Sequence, residues 1–561
     1  MTLDSSEWDE DLPADPEEEY QTFVRTLERT EGFRLLFVRC APVEGEQLIA
    51  RVKDDLPKKI IEFLPLDKPI DNLYKIVERL SNREQINILF IQGLEDSFYE
   101  YEQEKFGSAN EEYFSSWQGA PRILNHLNQQ RERFRDDFNI CFVFLLQSFS
   151  IKYFIHRAPD FFDWRSNLFE FPTESGTLKR ESSRIIQEGN IEKYITLNTK
   201  EIVKQILYIK ELLQDQKVSR DRADLLLQLG DLYRAARKYT GAIHSYDQAL
   251  KLNPDLHKAW NGWGNVLLAL RRHEDAIVLY NQALRIQPNF YNAWYNRGIS
   301  RSYLKDYKKA IASYDEALKI KSDFHPAWFY RGNVLAIIER YKKAIASYDE
   351  ALKIKSDFNE AWFYRGNVLA TIERYEEAIA SYGEALKIKS DSHHTWFYQG
   401  NALANIGRYE DAIASYDKAL EIQPNLHQAW YYRGNALLNL GRYEEAITSC
   451  DQSLKIQPNL HQAWYYRGNA LLNLGCYEEA ITSYDQSLKI QPNYHQALND
   501  RGYALSKLEG YEVISSYEQA LKMQPNYLNF WYNCVISLRE LIWKKITKTL
   551  AIFLKFIDFR R

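Results

Sequence analysis

From residue 223 onward the chain restates itself every 34 residues. A period of that length excludes folding around one central core and demands stacked supersecondary units. Units begin at residues 223, 257, 291, 325, 359, 393, 427, 461 and 495. Those starting at His427 and His461 differ at only three positions: Arg442 against Cys476, Cys450 against Tyr484, and Leu460 against Tyr494. The ninth unit is one residue short, and Trp531 reopens the register as an incomplete tenth.

Each position within the unit has a physical reading. Position 8 is glycine in all nine units, from Gly230 to Gly502. Glycine inside a helix costs about 1 kcal/mol against alanine, so its recurrence implies close approach of a second helix. Position 20 is alanine in eight units, for example Ala344 and Ala378, and reads as the other half of that contact. Trp at position 4, an apolar residue at position 11 and Tyr at position 24 fill the space around it. Proline at position 32 (Pro254, Pro288, Pro424, Pro458, Pro492) stops the second helix, while three central units carry a "KSD" segment there. Each unit therefore reads as helix, turn, helix.

This pattern of Trp, Leu-Gly, Tyr, Ala, Tyr, Ala and Pro resembles the tetratricopeptide repeat over residues 223–527. The resemblance implies an all-α superhelical solenoid with a concave surface that binds peptides or proteins, and no chemistry of its own. One departure recurs. Position 7, usually Leu, is Arg at Arg297, Arg331, Arg365, Arg433, Arg467 and Arg501. Such an Arg points into the array and needs a partner. Asp recurs at position 25, and Gln399 replaces Arg in the one unit preceded by Gly383 instead of Asp. Ion pairs across unit junctions are expected, Arg331 with Asp315 and so on to Arg501 with Asp485, with Arg297 facing Asn281.

In the family, positions 2, 5, 9 and 12 or 13 of the first helix line the concave side. Here position 5 is aromatic at Tyr295, Phe329, Phe363, Phe397, Tyr431 and Tyr465. Position 9 is Asn at Asn265, Asn333, Asn367, Asn401, Asn435 and Asn469, and position 13 adds Asn405, Asn439 and Asn473. A side-chain amide donates and accepts at once, so a row of them suits an extended polypeptide, with the aromatics supplying apolar area. This is similar to asparagine ladders of some long arrays in the family and unlike its chaperone-binding clamp, which needs Lys at position 5. The alternative is that "GN" is bare repeat consensus. The "RYEEAI" row reads as a solvated outer face, and one His per unit at position 1 is too dispersed for a metal.

Ahead of the repeats the pattern changes. Phe33–Cys40, Lys59–Leu66, Ile86–Gly93, Asn139–Leu146 and Asn167–Phe171 are short apolar runs. Helical patterns at Glu46–Lys53, Asp71–Leu80 and Ala120–Phe134 separate them. Alternating strands and helices predict an α/β domain with a mainly parallel sheet covered on both faces. With "GLED" at Gly93–Asp96 after a strand, residues 20–172 resemble a degenerate nucleotide-binding core of AAA-type and STAND-type ATPases, found ahead of repeat arrays in bacterial proteins. That resemblance implies an acidic Walker B strand at Glu95 or Asp96, which could in principle hold magnesium. The phosphate loop is missing: "CAPVEGEQL" at Cys40–Leu48 has no Gly-Lys pair, and none of the 23 glycines of the chain precedes a lysine. The first strand should therefore lead into its helix without a wide loop.

The remaining segments are a nine-acid tail over residues 1–19, a linker and connecting helix over 173–222, and residues 528–561. The last combine the incomplete tenth unit with a basic amphipathic helix, whose final 21 residues hold six basic side chains and one acid. That ending is expected to pack on the ninth unit, with a partner or anionic membrane as the alternative. Five scattered cysteines and no export signal or uncharged apolar run of spanning length suit a cytoplasmic protein. A net charge of -5 gives no pull toward nucleic acid. No catalytic motif occurs, and neither cofactor nor metal site is expected. The favoured reading is a scaffold that is not an enzyme and that binds a protein or extended peptide. The alternatives are a nucleotide-operated switch with the repeats as sensor and a peripheral membrane adaptor.

Overall fold

The computed structural model describes residues 16–108, 120–171 and 175–508, with a few isolated positions between 516 and 547. The first 15 residues of the expected tail, most of the segment expected to form the ninth unit's second helix, and most of the expected tenth unit and C-terminal helix lie outside the described residues. The chain divides into two compact units, Met1–Lys305 and Asp306–Arg561. The boundary falls between the two helices of the repeat that begins at Tyr291.

The first unit opens with α1 (Pro16–Glu28), which starts inside the segment expected to be tail. Five strands follow: β1 (Arg34–Arg39), β2 (Ile61–Pro65), β3 (Ile88–Gln92), β4 (Cys141–Leu146) and β5 (Asn167–Glu170). Each lies within one of the five apolar runs. They pair in the order β2-β3-β4-β1-β5, and every pairing is parallel. Between them run α2 (Pro42–Asp55), α3 (Leu73–Glu78), α4 (Glu95–Ser108), α5 (Arg122–Asp137), α6 (Ser148–Arg157) and α7 (Pro159–Phe162).

The period-two alternation of a strand sends successive side chains to opposite faces. Leu35, Phe37, Leu89, Ile91, Phe142 and Phe144 pack with α3, α5, α6 and α7. Leu36, Val38, Ile88, Phe90, Val143 and Leu145 pack with Phe23 and Leu27 of α1 and Ile49 and Val52 of α2. Both faces are dry, which is why the strands read as unbroken apolar runs.

Residues 173–222 read in sequence as a linker followed by a connecting helix; the described part, from residue 175, is helical from its start. It forms α8 (Ser175–Glu188), α9 (Ile191–Thr196) and α10 (Thr199–Asp215). Leu178, Ile185 and Ile186 lie on one face of α8 and pack into the same cluster as Val203 and Ile206 of α10 and Leu225 and Leu232 of the first repeat helix. A capping box at Asn198 and Glu201 starts α10.

From Ser219 to Lys507 the chain is a run of helix pairs, such as Asn359–Thr371 with Tyr375–Ile388 and His427–Asn439 with Tyr443–Ile456. Within each unit of the chain, each first helix packs on its own second helix, and each second helix packs on the next first helix.

The turn inside each repeat holds a left-handed residue that the 34-residue pattern does not announce. Position 15 has positive φ in eight repeats: Arg237, Arg271, Lys305, Glu339 and Glu373 at 58° to 61°, and Gly407, Gly441 and Gly475 at 76° to 81°. This is the left-handed residue that ends a helix, where glycine has no Cβ to clash. Glu373→Gly is expected to raise stability by about 0.5–1 kcal/mol, read as a higher urea midpoint with unchanged slope.

Candidate functional site

The glycine at position 8 makes room for an aromatic ring. A Cβ on Gly366 would lie 2.6 Å from Cε1 of Tyr382, and the same ring edge stands 2.5–2.6 Å from such a Cβ at Gly230, Gly264, Gly332, Gly400 and Gly468. The expected partner, alanine at position 20, is fully buried at Ala378 and its equivalents, but the atoms nearest the glycine belong to the tyrosine at position 24.

That tyrosine also fixes the asparagine row. Its hydroxyl donates to the Oδ1 of Asn333, Asn367 and Asn401 at 2.8 Å, of Asn469 at 2.7 Å and of Asn265 at 2.9 Å. One of the two acceptor positions of each such oxygen is thus occupied from within, which reduces the acceptor capacity these amides can offer a ligand. Asn435 differs because Cys450 replaces the tyrosine, and its Oδ1 accepts from Asn439 at 3.3 Å. Asn405, Asn439 and Asn473 are exposed, and each donates at 2.8 Å to the carbonyl four residues back on its own helix.

The aromatic row is split between core and surface. Phe329, Phe397 and Tyr431 are buried, and Tyr295, Phe363 and Tyr465 are partly so. The neighbouring position 6 carries the exposed rings: Tyr330, Tyr364 and Tyr398 are 38%, 43% and 41% exposed. They continue from one repeat to the next, with Phe329 5.6 Å from Tyr364 and Phe363 5.7 Å from Tyr398 between ring centroids, both edge-on. The doublets "FY" and "YY" were the sequence signal for this second row.

The arginines at position 7 do cross the repeat junctions. Nε donates to the Asp of the preceding repeat at 2.7 Å for Arg331–Asp315, Arg365–Asp349 and Arg467–Asp451, at 2.6 Å for Arg433–Asp417, and also for Arg501–Asp485. Each Nη1 then reaches a serine hydroxyl of its own repeat, as from Arg365 to Ser381 at 2.6 Å. Arg297 meets Asn281 at 2.8 Å. One side chain thus ties two repeats by a fixed fork of donors. The indole at position 4 adds a second tie, Trp362 to the carbonyl of Ser356 at 2.9 Å and Trp430 to that of Pro424 at 3.0 Å. A main-chain acceptor serves equally after serine or proline, so the "KSD" repeats keep the junction.

At the sheet, β1 passes into α2 through Cys40 and Ala41 alone, with proline in the first turn and Glu44 beside it. No wide loop faces a phosphate there. Glu95 and Asp96 follow β3 as expected from "GLED", at the start of α4. Glu95 is 9% exposed and accepts from the Gln147 N–H at 3.1 Å; burial pushes its carboxyl up to about 7.

Tetratricopeptide-repeat family models match residues 227–289, 356–393, 365–427 and 397–461, residues 291–324 and 461–494, and, in a third, residues 332–372. Solved structures also match this chain, at low identity. YrrB, described as a TPR protein with an unusual peptide-binding site, is 24% identical over 33% of this chain and 95% of its own, with a TM-score of 0.31. MamA from Desulfovibrio magneticus is 20% identical over 30% and 95%, at 0.29. The C-terminal part of a repeat protein from Cytophaga hutchinsonii is 15% identical over 42% and 98%, at 0.38. No curated protein matches the chain.

Proposed function

We propose, from an array built of tetratricopeptide repeats, that this protein is an interaction scaffold which holds an extended, weakly charged polypeptide along its first-helix face. The observation that carries the reading is the asparagine row with its oxygens held by buried tyrosines. With one acceptor position of its oxygen occupied from within, each such amide is biased toward donation and suits the carbonyl oxygens of a peptide backbone. Tyr330, Tyr364 and Tyr398 supply rigid apolar area next to that row at low entropic cost. Selectivity for sequence would then be low, because backbone carbonyls recur in every peptide.

The test uses the full chain with a photo-crosslinking residue at position 371 on the first helix, or at position 376 on the second. Capture of a short linear segment from the first site and none from the second is expected. Tyr330→Ala, Tyr364→Ala and Tyr398→Ala together should then weaken the captured peptide by about 100-fold, from about 1 kcal/mol per ring. Equal capture at both sites, or unchanged affinity in the triple variant, would overturn the reading.

A further inference from the structure

The strand order places a crevice in the first unit. From β1 the chain travels through α2 to β2 at the far edge, while from β4 it hops over β1 to β5. Two connections leaving adjacent parallel strands in opposite directions open the sheet at their carboxyl ends, where ligands of such sheets bind. A cavity of about 680 Å³ lies there, reaching residues after β1, β3, β4 and β5. Its outer wall is α8 and α10. That volume suits a small molecule.

The charges around the cavity are not evenly matched. Arg184 pairs with Glu181 at 2.7 Å, Lys204 with Asp96 at 3.9 Å, and Arg39 with Glu170 at 3.4 Å. Glu211 caps α6, accepting from the N–H groups of Ser148 at 2.8 Å and Phe149 at 3.3 Å. Glu95, the most buried charged group of the lining, forms no ion pair with any described residue. A buried carboxylate without a counter-charge is costly. Glu95 offsets that cost by accepting backbone N–H bonds, that of Gln147 among them, and by holding its proton more tightly, and a cation in the cavity would favour its ionised form. The rest of the wall is largely apolar, including Leu146, Phe171, Tyr208 and Leu212.

An anion is disfavoured in the same place. The N-terminus of α6 already holds Glu211, and the first turn of α2 carries Glu44. We infer that this cavity binds a small organic monocation, an alkyl or arylalkyl amine, with its ammonium group on Glu95 and its apolar body against Leu146, Phe171 and Leu212. The site would thus take the opposite charge from a nucleotide.

The test titrates the full chain with phenethylammonium by calorimetry. Parallel titrations use 2-phenylethanol, which has the shape without the charge, and ATP. Saturable one-to-one binding of the amine is expected, with 2-phenylethanol weaker by about tenfold or more and ATP not bound. Glu95→Gln should weaken the amine by a similar factor. It keeps an acceptor for Gln147 and removes a buried charge, so it should fold. Should circular dichroism show otherwise, the pH profile of the unaltered chain decides. Amine affinity should rise roughly tenfold from about pH 6 to about pH 8, as Glu95 gives up its proton near 7. Cys40 and Tyr99 also face Glu95, and burial pushes both well above that window, Cys40 to about 12. The proposal is overturned if phenethylammonium does not saturate, if 2-phenylethanol binds equally, if ATP binds more tightly, or if both the variant and the pH profile leave affinity unchanged.

Discussion

Tyr382→Ala is expected to lower the stability of the array by about 3–5 kcal/mol, the largest single effect of any change in the repeats. Its ring is fully buried under Gly366, and its hydroxyl holds Asn367 at 2.8 Å. Removing the ring leaves a cavity between two helices that the backbone cannot close without shifting the next repeat. Tyr382→Phe keeps the ring and loses only the hydroxyl, so about 1 kcal/mol is expected. The comparison is read by urea unfolding of the full chain. An alanine variant no worse than the phenylalanine one would mean that the hydrogen bond, and not the ring, governs the hairpin. Cys450 is the natural counterpart. It occupies the same place in its repeat, and there Tyr432 stacks toward Tyr416 with centroids 6.4 Å apart, while Tyr466 lies 6.3 Å from Tyr431. The ring contacts of this repeat thus differ from those of the repeats that keep the tyrosine, such as Phe363 with Tyr382 at 6.1 Å, tilted.

Asp349→Ala should cost about 2 kcal/mol, because it strands a guanidinium whose side chain is only 18% exposed. Asp349 itself is 41% exposed, which keeps the loss below that of a fully buried pair. The opposite experiment is available at the junction that lacks both charges. Gly383 has open space around a built Cβ, with only Gln399 Nε2 near at 3.9 Å. Gly383→Asp with Gln399→Arg should therefore stabilise by about 1–2 kcal/mol, part from the pair and part from replacing a helical glycine. A double-mutant cycle gives the coupling directly. If the two single changes add with no coupling, the pair is an accident of packing and contributes no tie between repeats.

Much of this architecture was legible in the residues. The 34-residue period fixed the hairpins, and five apolar runs became five strands. The arginine ladder could be read because the loss of arginine at Gln399 and the loss of aspartate at Gly383 occur at the same junction. These features depend on local periodicity or on matched changes along the chain, and both are written in one dimension. The absence of a phosphate loop was also plain, since it requires glycines and a lysine at fixed offsets.

Other features were set by packing alone. Which partner glycine 366 meets, the alanine or the tyrosine four residues further on, depends on how one helix is rotated against the other. The same rotation decides that Phe329 is buried and Tyr330 exposed, and that Asn367 turns its oxygen inward. Residues 173–184 look like a linker because most are polar, yet α8 forms once a few apolar side chains find the first repeat. The cavity beside Glu95 is decided furthest from the sequence. It joins residues from the ends of four strands with two helices more than a hundred residues from β1, and no local pattern records that these should meet. The sequence specifies elements and their faces; the burial of a charge or the pairing of an amide is settled only when distant surfaces close around it.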